Sequence, residues 1–131
     1  MLMDTSVWLC LNDRSDHRHA EAARFYHIAR MHLTTSYILA EYVALTHSRG
    51  LPRQKALEFS EVVLTDPDVQ VAWVDADLHR QAVELLLNRK DKTYSLCDAV
   101  SFVLMRERQI SEALTTDRHF EQEGFVRLLP Q

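Results

Sequence analysis

The stretch Y-S-L-C-D-A-V-S-F-V-L-M, residues 94–105, reads as the buried face of a helix interrupted by one carboxylate, Asp98. Two readings of that acid compete. Ser95 and Asp98 have the S-x-x-D spacing of a capping box, in which the serine caps the first turn and the acid reaches back to it. Alternatively, Asp98 belongs to a cluster of acids assembled from distant parts of the chain. Either way the run opens a helix at residue 96, and its neighbours along the chain set the fold.

Working outward, helical periodicity is clearest over 76–90, where Leu78, Ala82, Leu85 and Leu86 share a face, and over 96–108. Residues 17–30, 37–49 and 52–64 are further helices. Between them, 2–3, 33–35, 69–74, 112–115 and 126–129 read as strands. Gly50 and Gly124 follow helical patterns, Pro52 opens one, and Asp66-Pro67 marks a turn. The alternation of strand and helix predicts an α/β fold of three layers, with a mainly parallel central sheet of four or five strands and helices on both faces.

With 131 residues, 47% of them hydrophobic and 26% charged, the chain makes one domain spanning 1–131. Its apolar runs fall short of a membrane span and the N-terminal M-L-M-D-T-S-V-W-L has no basic region. The expectation is therefore a cytoplasmic protein with neither signal peptide nor membrane helix. Cys10 and Cys97 form no C-x-x-C pair and read as reduced, mostly buried thiols rather than a disulfide or zinc module. A net charge of −4 gives no global attraction for nucleic acid, so any such binding needs a local basic patch or bound cations.

In a parallel α/β sheet the ligand crevice lies at the carboxyl ends of the strands. Asp4 directly follows the first strand, in M-D-T-S. Ser36 follows the second and opens a helix carrying Glu41, Asp98 lies in the first turn of the helix beginning at Ser95, and Asp117 follows the fourth strand, in L-T-T-D. Asp4 and Asp117 also suit helix N-caps. Glu41 sits in Y-I-L-A-E-Y-V-A-L with Tyr37, Ile38, Ala44 and Leu45 at helical spacing, which predicts a buried acid in need of a partner. Four ionised acids converging within about 5 Å would repel by roughly 3 kcal/mol per pair, or roughly 20 kcal/mol in all, at an effective dielectric near 20. Either some stay protonated or a cation binds. Oxygen donors with no histidine or thiolate among them favour Mg²⁺ or Mn²⁺ over zinc.

M-D-T-S at 3–6, A-E at 40–41, S-L-C-D-A at 95–99 and L-T-T-D-R-H-F at 114–120 together resemble the motif set of PIN-domain proteins, specifically VapC-type ribonuclease toxins. The resemblance spans nearly the whole chain in order, spacing and strand–helix context. It implies that Asp4, Glu41, Asp98 and Asp117 form an acidic quartet holding one or two Mg²⁺, with Mn²⁺ able to substitute, and that Ser6 and Thr115 support it. The implied reaction is metal-assisted hydrolysis of an RNA phosphodiester, in which the metal lowers the pKa of a bound water and offsets transition-state charge. The implied partners are the RNA substrate, a second copy in a homodimer, and a small antitoxin whose C-terminal segment covers the acidic groove. Only three residues precede Asp4, although strand 1 is expected to be central and typical strands run about five or six residues.

Other features weigh less. The histidines, His17 and His19 included, read as surface residues, and an exposed position on a short helix explains Arg118 and His119 as well as a phosphate contact does. Arg49, Arg53, Lys55, Arg89, Lys90 and Lys92 are candidate RNA contacts. A receiver-type signalling module would need a lysine after the last strand, and none follows Lys92. The alternative to an enzyme is a catalytically silent PIN fold that binds RNA or protein.

Overall fold

Leu2 and Met3 are fully buried, and they make a central strand of two residues, β1 (Leu2–Met3). The computed structural model describes residues 1–130. Short as it is, β1 pairs on both sides, with Leu2 opposite Leu33 and Ala113 and Met3 opposite Leu114. Its ends are pinned by the Leu33 N–H donating to the Met1 carbonyl (2.9 Å) and the Asp4 N–H donating to the Leu114 carbonyl (3.2 Å). A central strand buried on both faces needs few residues when each is fully apolar.

The chain then runs α1 (Thr5–Leu11), α2 (His19–Ile28), β2 (His32–Thr35), α3 (Ser36–Ser48), α4 (Arg53–Thr65), β3 (Val69–Ala72), α5 (Ala76–Leu87), α6 (Leu96–Glu107), β4 (Glu112–Leu114), α7 (Arg118–Gln122) and β5 (Val126–Arg127). The five strands are all parallel in the order β3-β2-β1-β4-β5. Right-handed crossovers in that order put α1 to α4 on one face and α5 to α7 on the other, the expected three layers.

The sequence reading gave no range for α1 or α7, the helices that follow Asp4 and Asp117; its other differences from the structure sit at element ends and have local causes. The second helix starts at His19 because Asp16 turns the chain first, its Oδ1 accepting from the Arg18 N–H and its carbonyl from the His19 N–H. The fifth helix stops at Leu87, where Asn88 caps the Glu84 carbonyl through both its backbone N–H and its side-chain amide. Past Ala72 the chain leaves the ladder, and the Val74 N–H donates to Ser36 Oγ instead. Both cysteines are buried free thiols. Among the described residues no helix is long and apolar enough to cross a membrane.

Two aromatic groups fill the core. Trp8, Tyr42 and Phe59 pack on the α1–α4 side, while Phe102 packs against Tyr94, Phe120 and Phe125 on the other. The second group seats α6 and α7 against each other. Residues Cys97 to Phe102 of α6 are all buried, which holds its first turn firmly at the sheet.

Candidate active site

The sheet order fixes where a crevice must open. From β1 the chain proceeds outward to β2 and β3, then crosses back to β4 and outward to β5, so the switch point lies between β1 and β4. Asp4 ends β1, and Thr115 and Asp117 follow β4. Asp4, Ser6, Glu41, Thr93, Thr116, Asp117 and His119 line one open cleft there, of about 570 Å³.

Asp4 occupies the N-cap position of α1 but makes no side-chain cap bond. Its Oδ2 accepts instead from Thr115 Oγ1 across the switch point at 2.6 Å, and from Ser6 Oγ at 3.4 Å. Those hydroxyls are held in turn, Thr115 Oγ1 by the Asp117 N–H and Ser6 Oγ by the Thr116 N–H, each at 3.0 Å. Asp4 is only 5% exposed. Burial pushes its carboxyl up to about 7 against the pull of the Thr115 hydrogen bond, with the charges of Asp98 and Glu41 adding to the rise.

Asp98 satisfies both readings of the opening stretch. The capping box is complete: the Asp98 N–H donates to Ser95 Oγ (3.0 Å) and Asp98 Oδ2 accepts from the Ser95 N–H (3.1 Å). The same Oδ2 faces His119 Nδ1 at 2.9 Å. Asp117 caps α7, its Oδ1 accepting from the His119 N–H, and that oxygen lies 3.4 Å from His119 Nδ1.

Glu41 corrects an expectation. It is half-buried rather than buried, because α3 presents Glu41, Leu45 and Arg49, at successive four-residue steps, to the open cleft. It lies beside the Cys97 thiol, which burial pushes far up while Glu41, Asp4 and Asp98 around it push the same way, so the thiol stays protonated.

The sequence reading left His119 as an exposed residue of a short helix, but the structure sets it against two of the acids. His119, only 25% exposed at its side chain, bridges Asp98 and Asp117, and its nitrogen and their oxygens form a group within 4.8 Å of one another. Asp4 and Glu41 do not join that tight group; they reach it through charge and through the shared cleft. His119 stands two residues past Asp117 but 21 from Asp98, so only the packing of α6 against α7 reveals the contact. The one sequence signal was that D-R-H puts a histidine in the turn capped by Asp117. Arg89 is corrected too: it forms a two-point ion pair with the buried Glu123, which Arg106 also binds, and is not free for RNA.

Among the described residues, the lysine and arginine ion pairs go to Glu123, Asp91 and Glu121, and none reaches the four acids. The cleft therefore gathers carboxylate oxygens without a fixed positive partner, at the N-termini of α1 and α6. That donor set fits a hard divalent cation.

Residues 1–125 match the PIN domain family. The chain is 32% identical over 132 residues to the 23S rRNA-specific endonuclease VapC20 of Mycobacterium tuberculosis, in the strains CDC 1551 / Oshkosh and ATCC 25618 / H37Rv, with 100% of this chain and 99% of that protein aligned. The crystal structure of Mycobacterium tuberculosis VapC20, described as a sarcin-ricin loop cleaving toxin, superposes with a TM-score of 0.86 at 32% identity, covering 95% of each chain.

Proposed function

Because this chain belongs to the PIN-domain family and is similar along its length to a VapC-type ribonuclease toxin, we propose that it is a cytoplasmic toxin endoribonuclease that hydrolyses RNA phosphodiester bonds with Mg²⁺ or Mn²⁺. The observation that carries the reading is the cleft at the switch point, where Asp4, Glu41 and Asp117 converge with Asp98 behind them and no lysine or arginine neutralises them. Asp4, Glu41, Asp98 and Asp117 are the residues that hold the cation. When bound, it supplies activation of a water nucleophile and offsets charge on the transferring phosphoryl group.

The chain's own groups do the rest. Thr115 and Ser6 fix the Asp4 carboxylate across the β1–β4 junction, and the Thr116 and Asp117 backbone N–H groups fix those hydroxyls. Arg49 and Arg118 line the cleft without an acidic partner among the described residues and face phosphates on either side of the bond to be cut. The similarity extends the proposal to the sarcin-ricin loop of 23S rRNA as substrate, to a homodimer, and to an antitoxin whose C-terminal segment fills the acidic groove.

The test is cleavage mapping. Purified protein with Mg²⁺ is incubated with ribosomes, with an isolated sarcin-ricin hairpin and with transfer RNA, each with and without EDTA. One EDTA-sensitive cut in the hairpin supports the whole proposal, whereas a cut in transfer RNA alone keeps the nuclease and removes the substrate. No cleavage of any RNA, in a preparation that binds Mn²⁺, would favour the silent module.

A further inference from the structure

His119 is engaged at every polar atom. Nδ1 lies 2.9 Å from Asp98 Oδ2, Nε2 lies 3.2 Å from Thr93 Oγ1, and the backbone N–H donates to Asp117 Oδ1. The ring also packs edge-on against Tyr94, with centroids 5.2 Å apart. An ionised carboxylate can only accept, so Nδ1 carries the hydrogen and Nε2 is free to accept from the Thr93 hydroxyl. The ring plane is thereby fixed at both ends.

Two consequences follow for the acids. Asp98 Oδ2 receives two donors, the Ser95 N–H and the His119 ring, from different directions, which locks the carboxylate in one orientation and leaves Oδ1 with no hydrogen bond among the described residues. Because His119 sits on α7 just after Asp117, the same contact ties the start of α7 to the start of α6, and so sets Asp117 against Asp98.

We infer that His119 is a positioning residue of the acidic site: held by Thr93, it orients Asp98 and Asp117 for cation binding without itself ligating the cation. The inference rests on the cation-dependent reading above. Outer partners of metal-binding carboxylates commonly contribute about 10–100-fold to metal affinity.

The experiment measures Mn²⁺ affinity by calorimetry on the full-length, EDTA-treated protein at one pH, together with the metal-free thermal midpoint. It compares wild type, His119→Asn and His119→Ala. The asparagine amide occupies the place of Nδ1 and keeps the donor to Asp98, whereas alanine removes it. The expected result is affinity within a few-fold of wild type for His119→Asn, which loses only the Thr93 contact, and affinity about 10–100-fold weaker for His119→Ala, with similar metal-free midpoints. Equal affinities in wild type and His119→Ala overturn the inference. So does equal loss in both variants, or a ring-nitrogen coupling in the spin-echo spectrum of bound Mn²⁺, since either makes the ring a ligand. Should His119→Ala fail to fold, Thr93→Val frees Nε2 and is expected to weaken Mn²⁺ binding a few-fold, and an unchanged affinity overturns the inference. A wild type that binds no Mn²⁺ removes the cation reading itself, and this inference with it, which separates the two failures.

Discussion

Without metal, the protein is expected to lose stability as pH rises through the neutral range, and Asp4 is expected to be the cause. In the unfolded chain Asp4 releases its proton near 3.8, whereas in the folded chain burial, with Asp98 and Glu41 beside it, holds the proton up to about 7. Between those values the native state binds more protons than the unfolded state, so stability falls with rising pH there and is flat, for this group, on either side. At about 1.4 kcal/mol per pH unit the span is worth about 4 kcal/mol, a large share of the stability of a domain this size.

The decisive comparison is with Asp4→Asn, whose amide cannot ionise and can still accept from Thr115. Other groups titrate in the same range. Burial lowers the pKa of His32, which makes stability rise with pH up to about 6.5 and works against the Asp4 effect. Because His32 is present in both proteins, the difference between them isolates Asp4. Urea melts in EDTA at pH 5, 6, 7 and 8 are expected to show the advantage of Asp4→Asn over wild type already present at pH 5, growing by about 1.4 kcal/mol per pH unit, about 3 kcal/mol in all, up to pH 7 and levelling off towards pH 8. Millimolar Mn²⁺ should restore much of the wild-type deficit at pH 8 and little in the variant, since a ligand of the native state stabilises by mass action. Stability curves for the two proteins that run parallel from pH 5 to 8 would refute the reasoning.

Other perturbations separate site from scaffold. Asp98→Asn is expected to cost no more than about 1 kcal/mol, since it weakens a capping bond but relieves repulsion with Asp4, while RNA cleavage collapses; a destabilised yet active protein in paired urea melts and cleavage assays would remove Asp98 from the site. Glu41→Gln, at a half-buried position facing the cleft, should keep the melting midpoint and abolish cleavage, and full activity at ordinary Mg²⁺ would exclude it. Glu123→Gln should cost about 2 kcal/mol at pH 7 in urea melts, through loss of charged hydrogen bonds to Arg89 and Arg106. Burial raises the Glu123 pKa but those hydrogen bonds outweigh it and hold the carboxyl below its ordinary 4.5, so the deficit should shrink only as pH falls below that value; equal stability at pH 7 would count against the triad.

What the sequence made legible follows from the range of the interactions involved. Asp4, Asp98 and Asp117 each stand at the join of one element to the next, and alternation of period suffices to find such joins. Two-residue β1 was legible only because Asp4 marks its end; its central place depends on Leu33 and Ala113, far along the chain. Glu41 was misjudged because apolar neighbours at helical spacing do not say whether a helix face meets the core or the rim of a cleft. The contacts of His119 with Asp98 and of Arg89 with Glu123, 21 and 34 residues apart, arise from helix packing and have no local signature.

The capping reading and the cluster reading of Asp98 competed only while the carboxylate was treated as one acceptor. With two oxygens, Oδ2 closes the capping box and meets His119, and Oδ1 stays uncommitted. The other acids are treated alike: Asp4 is held by two hydroxyls, Asp117 by a backbone N–H, and Glu41 lies beside a protonated thiol. These donors orient the carboxylates without neutralising them. A lysine or arginine at the same contacts would cancel the charge permanently and compete with any divalent ion for the same oxygens. The fold instead confines its arginine pairing of a buried acid to Glu123, at the far end of α7, where charge cancellation clamps helices together and leaves the cleft negative.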